Sequence, residues 1–262
     1  MVFTSPGEVA FNIFSMPVYF YGLIMAFAVF TGCMTAYFLF KIFYSREQAG
    51  IIIDYSPFII FSGIIGARLY YCLVNLDYYI QFPLQIFNIR QGGLSVHGML
   101  FIGVCAILYT AWRKNISFWK LFDVFCCGAA IGQSIGRWGN FFNSEAFGLP
   151  TTLPWKLYIP PSQRPDEFIQ YEYFHPTFLY ESILDFVIFI LLIVILRKNS
   201  HTPGVTACAY LFLYSFVRIF IEAIRVDSAL DVGSLHIAQI VSVFLMIVAL
   251  IFYFLLNKKS PS

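Results

Sequence analysis

The sequence predicts an all-α integral membrane protein with seven transmembrane helices, and three observations carry that expectation. First, 60% of its 262 residues are hydrophobic and only 11% are charged, whereas a soluble domain usually carries about 25% charged residues. Mean hydropathy is +0.76, more apolar surface than one water-soluble core could hide. Second, apolar runs of roughly 18–24 residues recur along the chain, the length a bilayer-spanning helix needs. Third, lysines and arginines fall unequally on the connections between those runs, which sets the orientation.

The runs lie at 18–40, 51–74, 94–112, 118–137, 178–196, 204–222 and 236–256. Residues 1–262 read as a single polytopic membrane domain without an internal repeat. Seven spans put the termini on opposite sides. One set of connections holds nine cations: Lys41, Arg46, Arg113, Lys114, Lys120, Arg197, Lys198, Lys258 and Lys259. The other set holds four, Arg90, Lys156, Arg164 and Arg225, although its loops are longer. The first set is therefore expected in the cytoplasm, with the N-terminus periplasmic and the C-terminus cytoplasmic. Residues 138–176 form the one long periplasmic loop, in what would be a bacterial inner membrane. No cleavable signal peptide is expected, because a basic n-region is missing and the first apolar run is long enough to span.

Several functions are excluded at this level. A net charge of +2, without a basic cluster that could track phosphates, argues against nucleic acid. The six cysteines all fall in apolar runs without a CxxC pair, and read as small buried hydrophobes. The four histidines show no HExxH-type spacing. No metal and no cofactor are expected.

The informative residues are polar groups inside the spans. Arg68, Arg137 and Arg218 are intramembrane arginines, each costly unless it faces a polar interior or snorkels to the headgroups. Spans two, four and six run outward, so all three lie toward outer ends. Tyr21, His97 and the stretch from His175 to Glu181 lie at the outer starts of spans one, three and five. Polar groups from six helices thus share one depth. Arg218, Glu222 and Arg225 are four and three residues apart, hence on one helical face, where Glu222 can hold one arginine and leave another for a ligand. His97 in "GGLSVHG" has two readings, a satisfied helix-end histidine or an acid/base. Gly128, Gly132 and Gly136 repeat every four residues and read as a smooth face for a close-packed neighbour. Asp185, four residues after Glu181, reads as buried in the bundle. The ligand this predicts is an anionic lipid headgroup, because guanidinium forks match phosphate oxygens.

"YGL" at Tyr21, "GARLYY" at Arg68, "GGLSVHG" at His97, "GRWGNFFNSEAFG" (136–148), "HPTFLYE" (175–181) and "VRIFIEAIR" (217–225) follow one another in this chain. In that order they resemble the bacterial prolipoprotein diacylglyceryl transferase family over nearly the whole chain. Met99 stands where that family usually has glycine and Phe178 where glutamine is common. The resemblance implies transfer of diacylglyceryl from phosphatidylglycerol to the lipobox cysteine thiol of a prolipoprotein signal peptide. The products would be a thioether and glycerol phosphate, formed at the periplasmic leaflet. It implies His97, Arg218 and Tyr21 as catalytic residues, with His97 as the base and Tyr21 positioning the lipid. Arg137, Asn140, Glu145, Arg68 and Glu222 would bind phosphatidylglycerol, with Asn140, Asn143 and Glu145 ordering Arg137. The competing reading is a transporter or binding protein for anionic lipid. It is disfavoured because transporters tend to place their sites at the midplane between repeated halves.

Overall fold

The computed structural model describes residues 2–89, 92–226, 231–232 and 235–259; Arg90, one of the four outer cations, lies outside them. Helices dominate: α1 (Phe20–Phe43), α2 (Gly50–Val74), α3 (Leu76–Gln81), α4 (Val96–Lys114), α5 (Phe118–Asn143), α6 (Thr177–Asn199), α7 (Val205–Glu222) and α8 (Ile237–Lys259). Among the described residues six of these, all but α3 and α5, are long and apolar enough to cross a membrane. The expected fourth span, α5, has 26 residues, but Lys120, Asp123, Gln133, Arg137 and its glycines keep its apolarity low. Side chains such as Phe30, Phe61, Phe101 and Phe244 are more than 60% exposed, which suits hydrocarbon and not water. The last turns of α4 and α6 carry Arg113 with Lys114 and Arg197 with Lys198, where cations also favour the helix dipole.

Two details depart from the sequence reading. Short antiparallel pairs lie before and between the helices: β1 (Val9–Ile13) with β2 (Met16–Tyr19), β3 (Leu157–Tyr158) with β4 (Tyr173–Phe174), and β5 (Asp231–Val232) with β6 (Leu235–His236). Phe14 and Ser15 turn the first hairpin with φ of 46° and 68°, the mirror-image geometry that matches strand twist. The long connection also starts later than residue 138, because α5 continues to Asn143. Its extra turns are held by rings: Phe142 stacks on Phe20 at 4.1 Å, and Trp138 and Phe141 meet Phe178 at 5.5 and 5.1 Å.

Backbone contacts group the chain into two compact units, 1–36 with 125–262, and 37–124. In the first, α1 lies along the glycine face of α5. A Cβ on Gly32 would sit 2.7 Å from the carbonyl oxygen of Gly128, Gly132 faces Ala28, Gly136 faces Met25, and Gly139 faces the Tyr21 ring. Small residues let two backbones approach this closely without a hydrophobic driving force. The expected role of the glycine repeat is thus realised, with one more glycine, Gly139, at its C-terminal end. α5 and α6 are joined by reciprocal bonds: Ser134 Oγ donates to the Ser182 carbonyl and Ser182 Oγ to the Ser134 carbonyl, each at 2.8 Å. The Trp138 indole N–H donates to Ser182 Oγ at 3.2 Å. The connection between α5 and α6 folds on Phe147, Leu157, Ile159, Phe174 and Phe178, all buried. Phe178, a departure from the family pattern, is therefore part of an aromatic core.

In the second unit α2 and α4 pack through Gly66 and Gly98, where a Cβ on Gly66 would lie 2.6 Å from the Gly98 carbonyl oxygen. The Ser95 N–H donates to the Ala67 carbonyl at 3.0 Å. Met99 lies over Gly63, so the methionine fills the space beside a small residue on the facing helix.

Candidate functional site

The serine bonds between α5 and α6 set Arg137 opposite Glu181, one helical turn further along. Arg137 Nη2 pairs with Glu181 Oε2, and Arg218 Nη1 donates to the same oxygen from α7 at 3.3 Å. Arg225 Nη1 lies 3.5 Å from the other oxygen, Oε1. Arg218 Nη2 is 2.6 Å from Glu222 Oε2, a charge contact of the i,i+4 kind that lies off the hydrogen-bond direction. Glu222 therefore holds Arg218, as its spacing predicted. The carboxylate joining all three arginines is Glu181, which the sequence reading placed among the clustered polar groups without assigning it a site role.

Burial divides this cluster by sign. The side chains of Glu181 and Glu222 are each 4% exposed, whereas those of Arg137, Arg218 and Arg225 keep 17%, 20% and 12%. The cations thus keep partial exposure while the two carboxylates between them keep almost none. Unpaired ions are costly to bury, and this arrangement compensates the cations without covering them. Among the described residues Arg137 bonds only through Nη2, which leaves Nε and Nη1 directed elsewhere. Asp185, one turn below Glu181, is 2% exposed and lies within electrostatic reach of Arg137 and Arg218. It is buried, as expected from its spacing. Tyr214 of α7 is within reach of the same two arginines.

The loop after α5 ties these helices together at their ends. The Gly148 N–H donates to the His175 carbonyl, the Leu149 N–H to the Ile224 carbonyl, and the His175 N–H to the Leu149 carbonyl, at 2.9, 2.9 and 3.0 Å. A Cβ on Gly148 would be 2.7 Å from the Ile224 oxygen and 3.0 Å from His175 Cβ, so only glycine passes between α6 and α7 here. Thr177 Oγ1 also donates to the Ala146 carbonyl. His175 Nδ1 lies 3.2 Å from the Tyr180 hydroxyl, and burial holds its imidazole below the ordinary histidine pKa.

Asn140, Asn143 and Glu145 form a set of their own. Asn140 Nδ2 donates to Glu145 Oε1 at 2.9 Å and Asn143 Nδ2 to the same oxygen at 3.2 Å. The Glu145 N–H donates to the Asn140 carbonyl at 3.0 Å. The two amides thus order Glu145, and the expectation that all three order Arg137 is corrected: Arg137 is held by Glu181. The reason lies in the helix, because Asn140 and Asn143 cap the end of α5 where Glu145 turns back. Tyr21 rests on Gly139 and lies within electrostatic reach of both Glu145 and Arg137. Four of the six expected helices, α1, α5, α6 and α7, therefore contribute polar groups to one place.

Arg68 and His97 belong to the unit 37–124. All five N–H groups of Arg68 donate to backbone carbonyls: Nε to Ile86 at 2.8 Å, Nη1 to Gly92 and Gly93 at 3.0 Å each, and Nη2 to Gln85 at 2.5 Å and Asn88 at 3.1 Å. A guanidinium has no further donors. The expected phosphate contact would require Arg68 to give up a carbonyl; its geometry is that of an organiser of Gln85, Ile86, Asn88, Gly92 and Gly93. A cavity of about 400 Å³ beside it is lined by Tyr71, Tyr78, Tyr79 and Asn75. His97 stands in the first turn of α4, exposed, with its ring 6.0 Å from that of Tyr70.

A site role for Glu181 could have been assigned from sequence. A carboxylate in an apolar run meets the same criterion that selected the arginines. Which cations it would join could not, because they come from α5, from α7 and from beyond the end of α7.

A model of the prolipoprotein diacylglyceryl transferase family matches residues 8–255. The chain is 45% identical over 248 residues to the phosphatidylglycerol–prolipoprotein diacylglyceryl transferase of a Nostoc species, covering 92% of this chain and 86% of that one. It is 42% identical over 283 residues to the protein of that name from Prochlorococcus marinus subsp. pastoris, covering 98% and 94%. With the one from a Synechocystis species it shares 42% over 271 residues, covering 99% and 93%. The arginine cluster, the glycine seam and the motifs that build them all lie inside the matched region, and the chain belongs to the prolipoprotein diacylglyceryl transferase family.

Proposed function

We propose a division of labour for the reaction this family membership assigns, the transfer of diacylglyceryl from phosphatidylglycerol to a prolipoprotein. The acceptor is the lipobox cysteine. Its sulfur attacks the glycerol carbon that bears the phosphate ester, the carbon–oxygen bond breaks, and the electron pair leaves with glycerol phosphate. Negative charge grows on the departing phosphate, so fixed cations in a low-dielectric site lower the barrier. Arg137 and Arg218 supply them. The observation that carries this reading is that Arg137 pairs with buried Glu181, and Arg218 with buried Glu181 and Glu222, while the two arginine side chains stay 17% and 20% exposed. Arg225 adds charge behind them. Tyr21, near Arg137 and Glu145, positions the lipid, and Asn140 with Asn143 fixes Glu145.

The thiol reacts as thiolate, with an ordinary pKa of about 8.5, and His97 takes its proton. The exposed ring at a helix start supports this role. Arg68 acts by holding Gln85, Ile86, Asn88, Gly92 and Gly93. The nine-to-four cation bias and the intramembrane arginines support seven crossings, with α5 as the polar-faced seventh. They also support a periplasmic N-terminus and a site in the outer leaflet of the inner membrane. A low mean apolarity suits a span whose polar face is turned into a bundle.

The test uses purified protein in detergent with phosphatidylglycerol and a lipobox peptide. Thioether formation is read by mass and normalised to folded protein. Arg137→Lys keeps a charge but loses the planar fork, so it should behave like Arg137→Ala. Loss of one preorganised donor costs about 3 kcal/mol, roughly a hundredfold in rate. Near-wild-type specific activity in both variants would refute the phosphate role. Reversible lipid binding without thioether product in the wild-type protein would favour the binding-protein reading.

A further inference from the structure

We propose that Glu181 is a positioning residue for transfer: an internal anion that holds the phosphate-binding arginines in register and competes with the phosphate for their charge. The proposal rests on the reading of Arg137 and Arg218 as phosphate ligands. Four observations carry it. Glu181 is 3% exposed inside a largely apolar helix, so it persists there only because it is compensated. Its Oε2 is shared by Arg137 and Arg218, from helices on either side of α6 in sequence, and its Oε1 faces Arg225. Neither oxygen is released to solvent. The backbone around it is also fixed, by the Ser134–Ser182 pair on the next residue and by Thr177 on the preceding turn.

A carboxylate held in this way has two consequences of opposite sign. It aims two guanidinium groups that arise from different helices at one common point, and a phosphate on their outer edges meets a preset geometry. It also withdraws positive potential from those edges, which weakens ground-state attraction for the lipid. Weak ground-state binding with strong orientation is the combination that favours turnover. Glu222 differs, because its carboxylate pairs with Arg218 on its own helix. Asp185 differs as well, since it contacts neither arginine directly and acts only through the field.

Glu181→Gln and Glu181→Asp separate charge from reach. Rates of thioether formation are measured against phosphatidylglycerol concentration in detergent micelles, per folded molecule. In Glu181→Gln the competing charge is gone, so KM for phosphatidylglycerol should fall roughly fivefold or more. The forks lose their common anchor, so kcat should fall as well. A misplacement of about 1 Å costs on the order of a hundredfold. Glu181→Asp keeps the charge but draws it back by one methylene, so KM should stay near wild type while kcat falls.

A merely structural Glu181 would lower the yield of folded protein and leave both constants unchanged, which overturns the proposal. A rise in KM in Glu181→Gln overturns it too. If Glu181→Gln does not fold, Glu181→Asp decides: an unchanged kcat overturns the proposal and a reduced kcat at constant KM supports it. The underlying reading fails separately, through Arg137→Lys and Arg218→Lys variants that retain wild-type KM and kcat.

Discussion

Replacing Gly32 by alanine should loosen the seam between α1 and α5. The new methyl would lie 2.7 Å from the Gly128 carbonyl oxygen, where ordinary contact begins near 3.4 Å, so the two backbones must separate by about 0.7 Å. The obstacle is backbone, which cannot rotate away like a side chain. Overpacking of this kind costs about 1–3 kcal/mol. The same methyl at Gly103 of α4 meets nothing within 4 Å, so Gly103→Ala should gain up to about 1 kcal/mol from helix propensity. The two variants make the same chemical change in two helix interiors and predict opposite signs. Reversible unfolding of the detergent-solubilised protein, followed by tryptophan fluorescence, measures both. The Arg137 end of the seam should respond as well, because Tyr21 and Gly139 close the same row of contacts. Gly32→Ala should therefore lower specific activity, and a larger residue at Gly32 should lower it further. Equal stability of Gly32→Ala and wild type, or equal losses in the two variants, would refute the close-approach argument.

Other perturbations address separate parts of the molecule. Arg68→Lys offers three donors to five carbonyls; leaving the rest unpaired costs about 1–3 kcal/mol each where they are buried, and limited proteolysis between residues 76 and 93 should accelerate. Equal protection of the two proteins would argue against the organising role. Burial lowers the pKa of His175, so the native state binds fewer protons there than the unfolded chain. Its contribution is complete above the ordinary histidine pKa of about 6.5 and is lost as pH falls below it. Stability should thus drop between pH 7.5 and 5 by more in wild type than in His175→Gln, and parallel pH profiles would contradict this. For orientation, single cysteines at positions 114 and 164 in a cysteine-depleted background should differ in intact spheroplasts, with the impermeant reagent reaching 164 only. Labelling of 114 alone would invert the topology.

Much of this was legible in the chain because the signals are local. Bilayer-length apolar runs, clustered cations and a glycine every four residues each depend on neighbours a few positions away. The Gly128–Gly132–Gly136 row found its partner on α1, and Glu222 found Arg218 one turn away. The extra length of α5 was not legible, since Trp138, Phe141 and Phe142 continue the helix only because Phe20 and Phe178 are there to receive their rings.

The sequence by itself determined a membrane protein, its polar residues and the family whose motifs it carries. Hydropathy and residue spacing are properties of single segments, and they survive without any knowledge of packing. Only the tertiary structure decided which charge meets which. Glu181 faces Arg137 because two serines fix the register of α5 against α6. It faces Arg218 and Arg225 because Gly148 lets the loop after α5 bind the end of α7. Arg68 and Arg137 look alike in sequence, each an arginine toward the C-terminal end of a long helix. One is wrapped by five carbonyls and the other keeps an open edge. The difference is made by segments distant in sequence that folding brings to each guanidinium, because in a low-dielectric interior an ion's role is set by the partners within a few ångströms of it.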